Sequence, residues 1–323
     1  MASLLPSDQV LPAPVADVLS ALITSRSAFT ASAAAGADLD AGARMGGNFY
    51  SRGRWNLDST ASEKIDGSAS TPGKITDYAD IAPVCRRKRV RGIVDGVEAA
   101  MGAQLAVNPT QALMEQTAAY WAKEIDNSLV SALKAFFDAS SGPLLSTHCR
   151  AIAATSGTVK PATFADLVDT ATLLGDNLTD LAVMVCHAKV WANLRKEAGA
   201  KVTYNPVGNA MVPYYDGLRV ILSDAVPTSG SSTHQKFWTI LLRPGALFVA
   251  IQQAMREIVE INATVPETRI TQTLHYAPGA TGMKWNVTDA NPADTLIDDY
   301  GSWAKSTSVD KEIGMVALIS NAS

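Results

Sequence analysis

The stretch NPTQALMEQTAAYWAKEIDNSLVSALKAFF, residues 108–137, decides how the rest of the chain is read. Asn108 suits an N-cap, Pro109 fits the first helical turn, and Gln111 stands where a capping-box partner would. Leu113, Thr117, Tyr120, Trp121, Ile125, Leu129, Leu133 and Phe136 follow at helical spacing until Ser140, Ser141, Gly142 and Pro143 stop it. The pattern predicts a helix from Asn108 to Asp138. Some thirty residues at about 1.5 Å each give a rod of roughly 45 Å, long enough to act as a spine.

On the N-terminal side, Val15, Val18, Leu19, Leu22 and Ile23 place one apolar stripe on a short amphipathic helix. Residues 27–48 are small, Gly/Ala-rich and aperiodic, which predicts an extended arm more than a folded unit. FYSRGRW (49–55), KITDYADIAPV (74–84) and RKRVRGIV (87–94) read as strands, the first two separated by the polar STASEKIDGSASTPG (59–73). The whole resembles a two-stranded projection with a flexible tip. Such a ribbon is marginal alone in water and is expected to rest on another molecule.

At its root lies CRRKRVRG, Cys85 to Gly92, with Arg86, Arg87, Lys88, Arg89 and Arg91 packed together. Three readings compete: a nucleic-acid footprint, a localisation tag, and a subunit contact made by bidentate arginine–carboxylate pairs. The flanks supply no aromatic or polar base readers, only charge suited to phosphate. A subunit contact needs nothing beyond the assembly that the ribbon already suggests, so that reading is preferred.

On the C-terminal side the pattern becomes mixed. Thr163 can cap a helix with the apolar face Phe164, Leu167, Val168, Ala171 and Leu174, ended by Gly175. LAVMVCH (181–187) reads as a buried strand and HAKVWANLRKEAG (187–199) as a helix. Tyr215-Asp216-Gly217 turns into the strand LRVILSD, and KFWTILLRPGALFVAIQ (236–252) gives two apolar strands about Pro244-Gly245. The last third is mostly strand. The fold class is α+β, without the even alternation of a doubly wound sheet and without an internal repeat.

The chain has 323 residues, 47% hydrophobic and 18% charged, with a formal net charge of -4, so any attraction to a polyanion must be local. No apolar run is long enough to span a membrane, and the N-terminus lacks a signal-peptide pattern, so a cytosolic protein is expected. Cys85, Cys149 and Cys186 are widely spaced and read as free thiols. Cys186-His187 and His148-Cys149 are adjacent pairs, but neighbours on a strand point to opposite faces, which argues against a catalytic couple. Phosphate-loop, zinc-protease and EF-hand patterns are missing; GATGMK (279–284) lacks the required spacing. Asp298-Asp299 and Glu257/Glu260 read as solvated faces or intersubunit charge partners. No cofactor, metal or catalytic residue is expected.

The order of parts resembles the major capsid proteins of tailed bacteriophages with the Hong Kong 97 fold. The resemblance rests on STPGKITDYADIAPVCRRKRVRG, the long helix, MVCHAKVWANLRK, YYDGLRVILSDAVP, FWTILLRPGALF and the ending LHYAPGATGMKWNV…SWAKSTSVDKEIGMVALISN. It implies an N-terminal arm (1–44), an E-loop hairpin (45–94) and a peripheral domain opening with the spine helix (95–159). An axial domain (160–255) and the peripheral domain's closing strands (256–323) would follow. It further implies hexamers and pentamers of this chain around packaged double-stranded DNA, contacted non-specifically, in a virion capsid assembled in the bacterial cytoplasm. Portal and decoration proteins would be partners. The chain lacks a long charged helical scaffold segment, so a separate scaffolding protein and no large N-terminal cleavage are expected. Lys64 and Lys74 lie in the loop from which the family's type member cross-links to a neighbour, but no acceptor or assisting acid can be placed, and plain solvated lysines are the alternative. An encapsulin-type compartment shares the fold; a cytosolic enzyme using Cys186 or His187 is the reading from a different class.

Overall fold

The computed structural model describes residues 23, 26–38, 47–55, 77–94, 109–197, 201–207, 210–230, 234–262, 267–307 and 309–322. The expected amphipathic helix around Val15 (except Ile23), the Asn108 cap, Lys64 and Lys74 lie outside the described residues.

Among the described residues, helix α1 (Ala28–Ala31) is one turn and α2 (Pro109–Phe136) is the spine. Its stripe is the expected one: Thr117, Trp121, Ile125, Leu129, Leu133 and Phe136 are buried, with Ala118, Ala122 and Ala132 beside them. Each large apolar side chain so buried contributes about 1.5–3 kcal/mol. Tyr120, counted in the stripe, is instead half-exposed on the flank. The chain turns off the helix at Gly142, where a Cβ would stand 2.5 Å from Asp138 N and 2.6 Å from Phe136 O. Glycine is required there by close approach.

Three sheets surround this rod. The largest runs β5 (Cys149–Ala151), β16 (Met315–Asn321), β11 (Lys236–Leu242), β6 (Val183–Cys186), β9 (Leu218–Leu222), β8 (Ala210–Tyr215), β7 (Val202–Val207), with β10 (Thr228–Ser229) attached to β11. The second is β1 (Ala35–Asp38), β12 (Leu247–Asn262), β13 (Glu267–Ala280), β4 (Cys85–Val94). The third is β15 (Trp303–Lys305), β14 (Met283–Trp285), β3 (Asp77–Pro83), β2 (Phe49–Trp55).

Helix α2 ties the three together. Trp238 of β11 donates its indole N–H to Phe137 O at 2.9 Å, and Tyr276 of β13 meets Ser128 at 2.8 Å. Phe136, Trp303 and Trp285 stack edge to face, with centroids 5.1 and 4.9 Å apart. Strand β6 is buried on both faces, as its unbroken apolar run predicts. Val183 and Val185 join the core around α2, while Met184 and Cys186 join a second core under α4 (Phe164–Ala171) and α5 (Ala188–Glu197), which follow α3 (Leu145–His148).

Local signals were accurate where the chemistry is local. Thr163 caps α4 in a full capping box with Asp166. Asp216 and Gly217 take φ of 50° and 83° in the tight turn from β8 to β9. Helix α4 stops at Ala171 and continues as 3-10 turns through Asp180, kinked at Gly175 with φ 59°.

Two expectations are corrected. Residues 27–38 do not trail as an arm: the Asp126 carboxylate of α2 accepts from Ser27 Oγ at 2.5 Å and Ala28 N at 2.9 Å, and β1 pairs in parallel with β12. Ala34 and Ala35 are small enough to be buried there. The basic segment does not continue the ribbon: β2 pairs with β3, but at Val84 the chain leaves that sheet and β4 pairs with β13. Likewise β11 and β12 flank Pro244-Gly245 without pairing to each other; Gly245, at φ 69°, hands the chain from one sheet to the next.

Candidate assembly surfaces

Alternation along β4 divides the basic run into two faces. Cys85 is fully buried, and Arg87, Arg89 and Arg91 share its side of the strand, toward α2. Arg87 donates from both terminal nitrogens to Pro292 O at 3.1 Å and from one to Asp294 Oδ1 at 2.5 Å. The Arg89 guanidinium lies 3.7 Å from the centroid of the Tyr120 ring, and Arg91 donates to Gln116 Oε1 at 3.4 Å. Alternate strand residues are about 6.8 Å apart and helix residues four apart about 6 Å, so these arginines can follow one helix edge. That edge carries Gln116, Tyr120 and Glu124. Burial, then Asp294, pushes the Glu124 carboxyl above the usual carboxylate range against the pull of Arg87; burial does the same at Glu257, which Gln272 and Arg91 oppose.

The outward face carries Arg86, Lys88 and Val90. Strand register sets Lys88, Thr273 and Arg256 in one row across β4, β13 and β12, and Arg86, His275 and Gln253 in the next. Neither row contains a carboxylate. Arg86 donates to Gly47 O at 3.0 Å and Asn48 Oδ1 at 2.8 Å, and its backbone N–H to Asn291 Oδ1 at 2.8 Å. Lys88 has no hydrogen-bond or ion-pair partner among the described residues. The sequence exposed the cations but not their division, nor Arg256 and His275 beside them. Those two come from more than 160 residues away along the chain, and only the pairing of β4 with β13 and of β13 with β12 reveals them.

A second feature is the ribbon β2–β3, at whose end Trp55 is 71% exposed.

The thiols and imidazoles do not form a reactive couple. Burial pushes the Cys85, Cys149 and Cys186 thiols up to about 12. His187 lies 3.6 Å from Asp224, with its ring tilted against Phe237 at a centroid distance of 4.9 Å, while Cys186 is fully buried in the second core. His148 is held by Thr147 and by Asp310 O, with its pKa lowered by burial. Among the described residues no group of three His, Cys, Asp or Glu could hold a metal ion, and no helix is long and apolar enough to cross a membrane. Among the acidic positions, Asp298 pairs with Lys134, and Glu257 lies beside Gln272.

This arrangement of a spine helix, one eight-stranded and two four-stranded sheets, and a projecting ribbon is the Hong Kong 97-like shell-protein fold. The capsid of Ralstonia phage GP4 matches with a TM-score of 0.56 at 9% identity over 90% of this chain and 87% of that one. The capsid of a native GTA particle matches at 0.55, with 12% identity over 93% and 91%. The capsid of cyanophage Pam1 matches at 0.53, with 12% identity over 89% and 88%. No curated protein matches the chain in sequence. Residues 96–316 match the Major capsid protein 13-like (Gp13-like) family model, and the chain belongs to that family. It is a phage coat protein, with a structural role.

Proposed function

We propose that the chain assembles through hexamers and pentamers into an icosahedral phage head that encloses double-stranded DNA. The observation that carries this reading is the outward face of the second sheet, where Arg86, Lys88 and Arg256 stand without a carboxylate in their rows. Carboxylates of a neighbouring subunit are the partners, while Arg87, Arg89 and Arg91 brace β4 from within. In this reading 1–44 is an arm whose residues 27–38 are docked on the spine and β12, 45–94 carries the E-loop ribbon β2–β3 together with its root strand β4 in the second sheet, 160–255 is the axial domain, and 95–159 with 256–323 is the peripheral domain. A separate scaffolding protein, a portal and decoration proteins complete the head, which forms in the bacterial cytoplasm. DNA contact is sparse and salt-sensitive, in keeping with a net charge of -4 per subunit. Lys64 and Lys74 act as solvated lysines; a covalent ladder on denaturing gels of mature heads would overturn that point.

Electron microscopy of particles from infected cells tests the reading. Closed shells containing DNA support it; protein-filled shells mean an encapsulin-type compartment, and particles of a few subunits mean neither.

A further inference from the structure

The large sheet ends in a hairpin, β7–β8, that outgrows it. Strand β8 pairs with β9 only at Tyr214 and Tyr215, so residues 204–207 and 210–213 continue as two strands alone among the described residues. From Val202 to Tyr215 there is no charged residue, although 18% of the whole chain is charged. Tyr204 is 44% and Met211 64% exposed. A free two-stranded ribbon is marginal in water, and free edges are ordinarily guarded by charge. This one is built for cover.

The same chain carries an apolar groove of about 400 Å³, lined by Phe164, Leu167, Val168, Leu178, Leu181 and Leu218. Val168 and Leu178 are 44% and 42% exposed. Tyr215, at the base of the hairpin, also lines the groove. Met211 lies four strand residues beyond it, about 13 Å away, so a chain's own ribbon leads out of its own groove. Asp216, the acidic residue lining the groove, meets no repulsion from an uncharged ribbon.

We propose that the Tyr204/Met211 ribbon of one copy seats in the Val168/Leu178 groove of the next. A protrusion on one surface meeting a groove on another is a head-to-tail contact, which closes into a ring when the rotation allows. The inference rests on the shell reading above and names the contact that would build its rings.

The test places Val168→Cys and Met211→Cys in one chain and treats assembled shells with a short bismaleimide. Denaturing gels are expected to show a ladder rising to pentamers and hexamers, and neither single variant should give one. Monomers only, from shells formed at normal yield, would overturn the contact while leaving the shell reading intact. If the wild-type chain forms no shells, the shell reading fails and the contact with it. Met211→Asp serves as a second variant: subunits of unchanged thermal midpoint that no longer assemble support the contact, and assembly at wild-type yield refutes it.

Discussion

Charge reversal separates the two faces of the basic strand. In Arg87→Glu, a guanidinium whose side chain is only 18% exposed is lost together with its bonds to Pro292 O and Asp294. Hydrogen bonds to charged groups contribute about 1.5–3 kcal/mol when well formed. Asp294 is 66% exposed, so solvent screening takes the share of the ion pair toward about 1 kcal/mol or less. The new carboxylate also stands beside Asp294 and near Glu124, adding repulsion and leaving Pro292 O without its donor. The sum is a destabilisation of about 2–4 kcal/mol. In Lys88→Glu, one residue along, no intrachain partner is lost, and the effect on stability stays within about 0.5 kcal/mol. Urea unfolding of the unassembled subunit, followed by tryptophan fluorescence, measures both, and microscopy of shells from the same preparations measures assembly. The expected pattern is a lowered midpoint for Arg87→Glu, and an unchanged midpoint with lost assembly for Lys88→Glu. Equal midpoints for the two variants would refute the division of the strand into a bracing face and a contact face.

Asp126→Ala should release residues 27–38 from the spine, costing about 1–3 kcal/mol; faster amide exchange in that segment is the readout, and unchanged exchange would show that β1 alone holds it. Asp80 is fully buried, accepting from Gly282 N at 2.9 Å and Ser306 Oγ at 2.7 Å, and burial raises its pKa against those bonds and the arginines nearby. An acid with a raised folded pKa binds its proton more tightly when folded, so it adds stability as pH falls through that value. The stability of the wild type relative to Asp80→Asn should therefore improve between neutral pH and about 4, and a difference that shrinks on acidification would reverse the sign assigned here. Cys85 and Cys186 should resist iodoacetamide until the chain is denatured, since both are fully buried; rapid native labelling at either would contradict the packing of both cores.

What the sequence disclosed followed the range of the interactions. The spine helix, the Thr163 cap, strand β6 and the Asp216-Gly217 turn depend on neighbours a few residues away, and each was legible. The pairings of β4 with β13 and of β16 with β5 join segments more than 150 residues apart, that of β16 with β11 joins segments more than 70 apart, and no local pattern announces them. The hairpin β7–β8 was hidden for another reason: Pro206 and Pro213 interrupt it, and its lack of charge blurs the polar–apolar alternation that marks a strand. Tyr120 misled because helical spacing is shared by a core position and by a flank position that receives an arginine. The basic run was found at once, but not which of its members are held within the subunit.

A cryo-electron microscopy reconstruction of the assembled particle tests the central claim most directly. The account predicts a closed shell in which Arg87 keeps Asp294 of its own chain while Lys88 and Arg256 face carboxylates of a neighbour. Discrete particles of a few subunits, or a shell whose neighbours leave that face of the sheet untouched, would contradict it.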